Sequence, residues 1–115
     1  MSAPRIDRAT FETLQQTAGA DFVKELVDTF LEEAPVMLRD LRTALEAREA
    51  DRFRRTAHSL KSNSNTFGAK RLGEMARGLE LGGLQNALDS HPEPLAALDH
   101  EYAMVAAELK ELAHA

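Results

Sequence analysis

The chain has no cysteine and no tryptophan, and no apolar run approaches the roughly 18 residues that would span a bilayer. Disulfides, cysteine nucleophiles and thiolate metal sites are therefore excluded, and nothing supports secretion. The opening Met1-Ser2-Ala3-Pro4-Arg5-Ile6-Asp7 lacks the apolar core of a signal peptide. A soluble, cytoplasmic domain with no membrane association is the expectation. Basic residues are also in deficit: Lys+Arg 14 against Asp+Glu 19 gives a net charge of -5, which argues against a broad nucleic-acid or anionic-membrane surface. Aromatics are only 5%, and Ala, Leu, Glu and Arg dominate, so intrinsic propensities favour helix and strands are not expected.

What remains is a helix-forming composition. The 115 residues are 43% hydrophobic and 29% charged, enough to bury a core in one domain spanning 1–115, with no internal repeat. Glycine and proline act as punctuation. A short first helix over about 7 to 17 closes at Gly19. A second runs from near Asp21 to about 48, with Val23, Leu26, Val27, Phe30, Ala34, Met37, Leu41 and Leu45 along one face and a kink expected at Pro35. A third starts at Asp51 as N-cap, buries Phe53, Ala57, Leu60 and Ser64, and turns at Gly68. A fourth over about 69 to 86 buries Leu72, Met75, Ala76 and Leu79 and weakens at Gly82 and Gly83. A fifth carries Leu95, Leu98, Tyr102, Val105, Leu109 and Leu112. Four amphipathic helices joined by short connections bury their faces only against one another, so the fold class is all-α: an antiparallel four-helix bundle with a short additional N-terminal helix.

One histidine stands apart. At about 100° per residue, His58 lies roughly 140° from the core direction of its helix, sharing a polar surface with Lys61, Arg54, Asn65 and Ser62. Lys61 is one turn away, close enough for its ammonium to meet an anion carried on the imidazole, and the small Ser62 leaves the ring open. A histidine near a lysine is ordinarily just part of a solvated face. The surrounding Ser59, Ser62, Asn63, Ser64, Asn65 and Thr66 are nevertheless poor helix formers, and small polar groups around one imidazole point to access.

The stretch Ala57-His58-Ser59-Leu60-Lys61-Ser62-Asn63-Ser64-Asn65-Thr66-Phe67-Gly68-Ala69 resembles the signature of the histidine-containing phosphotransfer (HPt) domains of multistep phosphorelays. In that family the phosphoryl-carrying histidine is followed by a lysine at plus three, a small residue at plus four and a glycine at plus ten, matched here by His58, Lys61, Ser62 and Gly68. Ser62 stands where glycine is more frequent. Phe30-Leu31-Glu32-Glu33-Ala34-Pro35 is similar to the family's preceding helix and Leu79-Glu80 to the following one. The resemblance implies a carrier, free-standing or excised from a larger kinase, with no autonomous catalytic activity. It implies that His58 takes a phosphoryl group from an aspartate of a response-regulator receiver domain and passes it to another. A hybrid sensor kinase is a further expected partner. A free imidazole titrates near 6.5 and is mostly neutral at pH 7, so no activating base is required. Lys61 is expected to offset phosphoryl charge, with Arg54 a weaker candidate, and Asn65 to bond the imidazole or the partner. No cofactor is expected on this chain, and Mg²⁺ is assigned to the receiver because no acidic cluster here resembles a metal cage.

The expected docking residues are Phe11, Leu14, Phe22 and Val36, with ordinary packing as the competing expectation for Phe11 and Leu14. A monomer is expected. Three other readings compete. A helical adaptor would bind a partner through the same polar face without chemistry. A carboxylate-bridged metal bundle finds only Glu111-Leu112-Ala113-His114, at a terminus expected to fray. A basic strip for RNA from Arg54, Arg55, Lys70, Arg71 and Arg77 lacks stacking aromatics. His91 and His100 have no ligand-spaced companions and read as surface residues.

Overall fold

A computed structural model describes residues 4–90 and 93–114; His91 lies outside the described residues. Five helices follow in order: α1 (Arg8–Ala18), α2 (Ala20–Ala47), α3 (Ala50–Thr66), α4 (Lys70–Asp89) and α5 (Pro94–Ala113), with no strand among the described residues. Helices α2 to α5 form the bundle, and α1 packs against α2 and α3.

The apolar faces meet as their spacing predicts. Phe53, Ala57, Leu60 and Ser64 of α3 are fully buried against Leu72, Ala76 and Leu79 of α4 and Val27, Phe30 and Leu41 of α2. Ser64 satisfies its hydroxyl by donating to the Leu60 carbonyl at 2.7 Å, which makes a polar residue tolerable in the core. Phe30 contacts Phe67 and Tyr102 with ring centroids at 5.4 and 6.0 Å.

Helix α2 continues through Pro35. Proline removes the amide that would bond the Leu31 carbonyl, and the Tyr102 hydroxyl of α5 donates to that carbonyl instead, at 3.4 Å. Two local expectations need correction. Asp51 is not the N-cap of α3, whose cap is Glu49. It lies in the first turn, where its carboxylate pairs with Arg54 at 2.7 Å and Arg55 at 3.3 Å. Helix α4 runs on to Asp89, although Gly83, with φ 78° and ψ -179°, interrupts its helical dihedrals where weakening is expected.

Gly68 ends α3 in the left-handed conformation, φ 84°. The Ala69 amide bonds the Ser64 carbonyl at 2.9 Å and the Gly68 amide bonds Asn65 at 3.1 Å, a Schellman closure that places α4 antiparallel beside α3. The same turn anchors the N-terminal segment, because the Asp7 amide donates to the Gly68 carbonyl at 2.9 Å. That segment buries Ile6 and is tied to α5 by Arg5, which bonds Glu101 at 2.8 Å while its own amide donates to Glu108 at 2.7 Å.

Candidate functional site

Helix α3 presents His58 outward because Ala57 and Leu60 on either side of it are buried. The imidazole is 56% exposed, and its Nδ1 lies 2.6 Å from Oε2 of Glu80 on α4. The other oxygen of that carboxylate, Oε1, accepts from Lys61 Nζ at 2.8 Å. Exposure falls inward, to 24% for Lys61 and 14% for Glu80. Bonding first to Lys61, and then to His58, holds the Glu80 carboxyl below the ordinary 4.5, against the opposing effect of desolvation. The carboxylate is therefore ionised near neutrality and only accepts, so the proton of a neutral His58 ring sits on Nδ1. Nε2 keeps its lone pair on the open side, with no protein partner among the described residues.

Lys61 and Ser62 lie where the helical wheel puts them, and the exposed Ser62 leaves the ring uncovered. Lys61, however, is not a free ammonium beside the imidazole but the buried-side partner of Glu80. Arg54 is a correction. It points away to Asp51, one turn back on its own helix, at 2.7 Å. Asn65 does not bond the imidazole either, since Glu80 holds Nδ1 and the Asn65 amide lies over Gly73 of α4. Phe11 is a second correction: it is buried in the core and offers nothing to a partner, while Leu14 is half-buried against that core. Phe22 (52%) and Val36 (45%) are exposed as expected, and Leu81 on α4, at 67%, was not anticipated.

Apart from Arg77, the basic strip is taken up in pairs: Arg54 and Arg55 with Asp51, Lys70 with Asp7, Arg71 with Glu101. His114 pairs with Asp28 across to α2 at 3.0 Å, and no group of three or more potential metal ligands occurs among the described residues. Glu80, which contacts both His58 and Lys61, is the site residue to which sequence reasoning assigned no role. Its signals were the Leu79-Glu80 pair that resembles the family's following helix, to which no role was attached, and its place directly after the buried Leu79.

An exposed histidine on the second long helix of a bundle, with a lysine one turn on and a glycine-closed turn beyond, defines a histidine phosphotransfer domain. The Hpt domain family matches residues 25–115, and the chain belongs to it: it is a phosphorelay intermediate of the carrier type, working with receiver domains and kinases. Among solved structures it is similar to the crystal structure of histidine-containing phosphotransfer protein B (HptB) from Pseudomonas aeruginosa PAO1. The two share 32% identity with a TM-score of 0.87, over 98% of this chain and 97% of that one. No curated protein matches the chain significantly. No helix is long and apolar enough to cross a membrane, among the described residues.

Proposed function

We propose that His58 is the phosphoacceptor and that Nε2 is the reacting atom. The observation that carries this is the 2.6 Å contact from Nδ1 to Glu80 on a half-exposed ring, which fixes the tautomer and orients the lone pair outward. The Nε2 lone pair attacks the phosphorus of an aspartyl phosphate on a receiver domain. The Nε2–P bond forms as the P–O bond to the aspartate breaks, and the electron pair leaves with the carboxylate. The Nδ1 proton stays where it is, so the ring becomes cationic facing the Glu80 carboxylate, which offsets that charge. Transfer onward is the reverse step with a second receiver.

Lys61 acts through Glu80, holding that carboxylate against Nδ1 of the ring, while Ser62 and the Gly68 turn keep the surface open and the helices in register. Mg²⁺ is supplied by the receiver, and the chain acts as a carrier without autonomous catalysis. The partner docks on the α2–α3–α4 face: Asp40 pairs with Arg52 and Glu33 shares a groove with Asn63, so Val36 lies level with His58 on one flank and Leu81 adjoins Glu80 on the other. Phe22 lies four turns along α2 from Val36, about 21 Å at 1.5 Å per residue, and marks the far edge of that face. We further propose a monomer in the cytoplasm. The test is labelling by a phosphorylated receiver: wild type gains an acid-labile label and His58→Gln, equally stable, gains none. Equal labelling of His58→Gln would refute the assignment, and binding of the receiver without any label would favour the adaptor reading.

A further inference from the structure

Phosphorylation brings close to two negative charges to a surface whose nearest cation is already committed. Lys61 neutralises Glu80, and Glu80 lies just across the ring from the acceptor nitrogen, so the pair leaves no net positive charge for the incoming group. The same holds for almost every other cation on the two helices that build the site. Arg52, Arg54, Arg55, Lys61, Lys70 and Arg71 each pair with a carboxylate. Arg77 alone on α3 and α4 has no such partner among the described residues, although Glu74 and Glu80 stand one turn to either side of it on α4.

Its position is fixed by the helix register. Gly73 lies against Asn65 and Glu80 against His58 and Lys61, so Arg77, between Gly73 and Glu80, stands level with Lys61 and Ser62 across the antiparallel pair. It is exposed, and three residues from Glu80 it lies on the same side of α4. The neighbouring Ser62 is too small to block a long side chain from reaching toward the imidazole. A planar guanidinium suits two phosphoryl oxygens at once, which an ammonium does not.

From this we infer that Arg77 binds the phosphoryl group carried on Nε2 of His58, with Lys61 reserved for holding Glu80. The inference rests on the His58 assignment, and the test separates the two. The full chain is phosphorylated with phosphoramidate, in which Nε2 displaces ammonia: the Nε2–P bond forms and the P–N bond breaks. Phosphohistidine is followed by ³¹P NMR, reading both the rate of its formation and the midpoint of the phosphoryl group's own titration.

Arg77→Gln slows formation about fivefold, the effect of losing one exposed charge pair, and moves the phosphoryl titration to higher pH. Arg77→Lys, which keeps the charge but not the fork, falls between and covers the case in which the glutamine variant misfolds. Lys110→Gln on α5, a helix that does not touch α3, changes neither reading. A labelled wild type with an unchanged rate and titration in both Arg77 variants overturns the inference alone. A wild type that takes no label overturns the His58 assignment, and the inference with it.

Discussion

Gly68 offers a quantitative test of how the site is held, because a Cβ there meets backbone that cannot rotate away. At φ 84° any L-residue carries a left-handed conformation costing about 1–2 kcal/mol. An added Cβ would lie 2.9 Å from the Asp7 carbonyl oxygen, 3.1 Å from Thr10 Cβ and 3.3 Å from the Asp7 amide nitrogen. The N-terminal segment must then move, losing the Asp7 amide bond to the Gly68 carbonyl, worth about 1 kcal/mol. Reduced unfolded-chain entropy returns only about 0.4–1 kcal/mol. Gly68→Ala is therefore expected to destabilise by about 1–2.5 kcal/mol, which lowers Tm by about 5–10 °C in a domain of this size. Urea denaturation with an unchanged m-value measures it. Gly78→Ala, in the exposed interior of α4 with nothing within 4 Å of its Cβ, is the control of opposite sign and stabilises by about 0.5–1 kcal/mol. A Gly68→Ala loss below about 0.5 kcal/mol would refute the reasoning.

Other perturbations follow from the same contacts. Glu80→Gln keeps a hydrogen-bonding group but loses the charge facing the phosphorylated ring, so phosphohistidine formation slows and its hydrolysis quickens, read by loss of label over time. The Glu80 carboxyl titrates below its ordinary 4.5 in the folded chain, so the stability it contributes is complete above 4.5 and fades as pH falls through the depressed value; Glu80→Gln flattens that part of an acid-unfolding curve. Lys61→Ala slows transfer or shortens the phosphoryl lifetime without abolishing labelling, because Nε2 remains in place. Glu101→Leu strips the shared partner from Arg5 at 2.8 Å and Arg71 at 3.3 Å, costing about 3 kcal/mol for the charge left partly buried. Hydrogen exchange at residues 5–7 should quicken as the segment loosens.

Much of this architecture was legible because helix burial follows a period of three and four. The α3 stripe of Phe53, Ala57, Leu60 and Ser64 is buried as read, His58 faces out as the wheel requires, and Gly68 makes the turn its type suggests. Local competition explains some of the differences. The end of α2, with Arg48 at φ 59° and the Glu49 amide on the Ala44 carbonyl, starts α3 before Asp51 and frees that carboxylate to capture Arg54 one turn on. Tertiary contact explains others. Phe11 is amphipathically ambiguous on a short helix until α1 lies on the bundle, and Glu80 becomes part of the site only through the antiparallel approach of α4. Glu101 lay in plain view on the stripe of Leu98 and Val105, but its charge disguised a core position that Arg5 and Arg71 make tenable.

The most direct measurement is to locate the label itself. Wild-type chain incubated with a phosphorylated receiver, digested at alkaline pH and sequenced by mass spectrometry, should carry one phosphoryl group on the His58 peptide, stable to alkali and lost in acid. Phosphate on another histidine, or an acid-stable ester on one of the serines around it, would contradict the account.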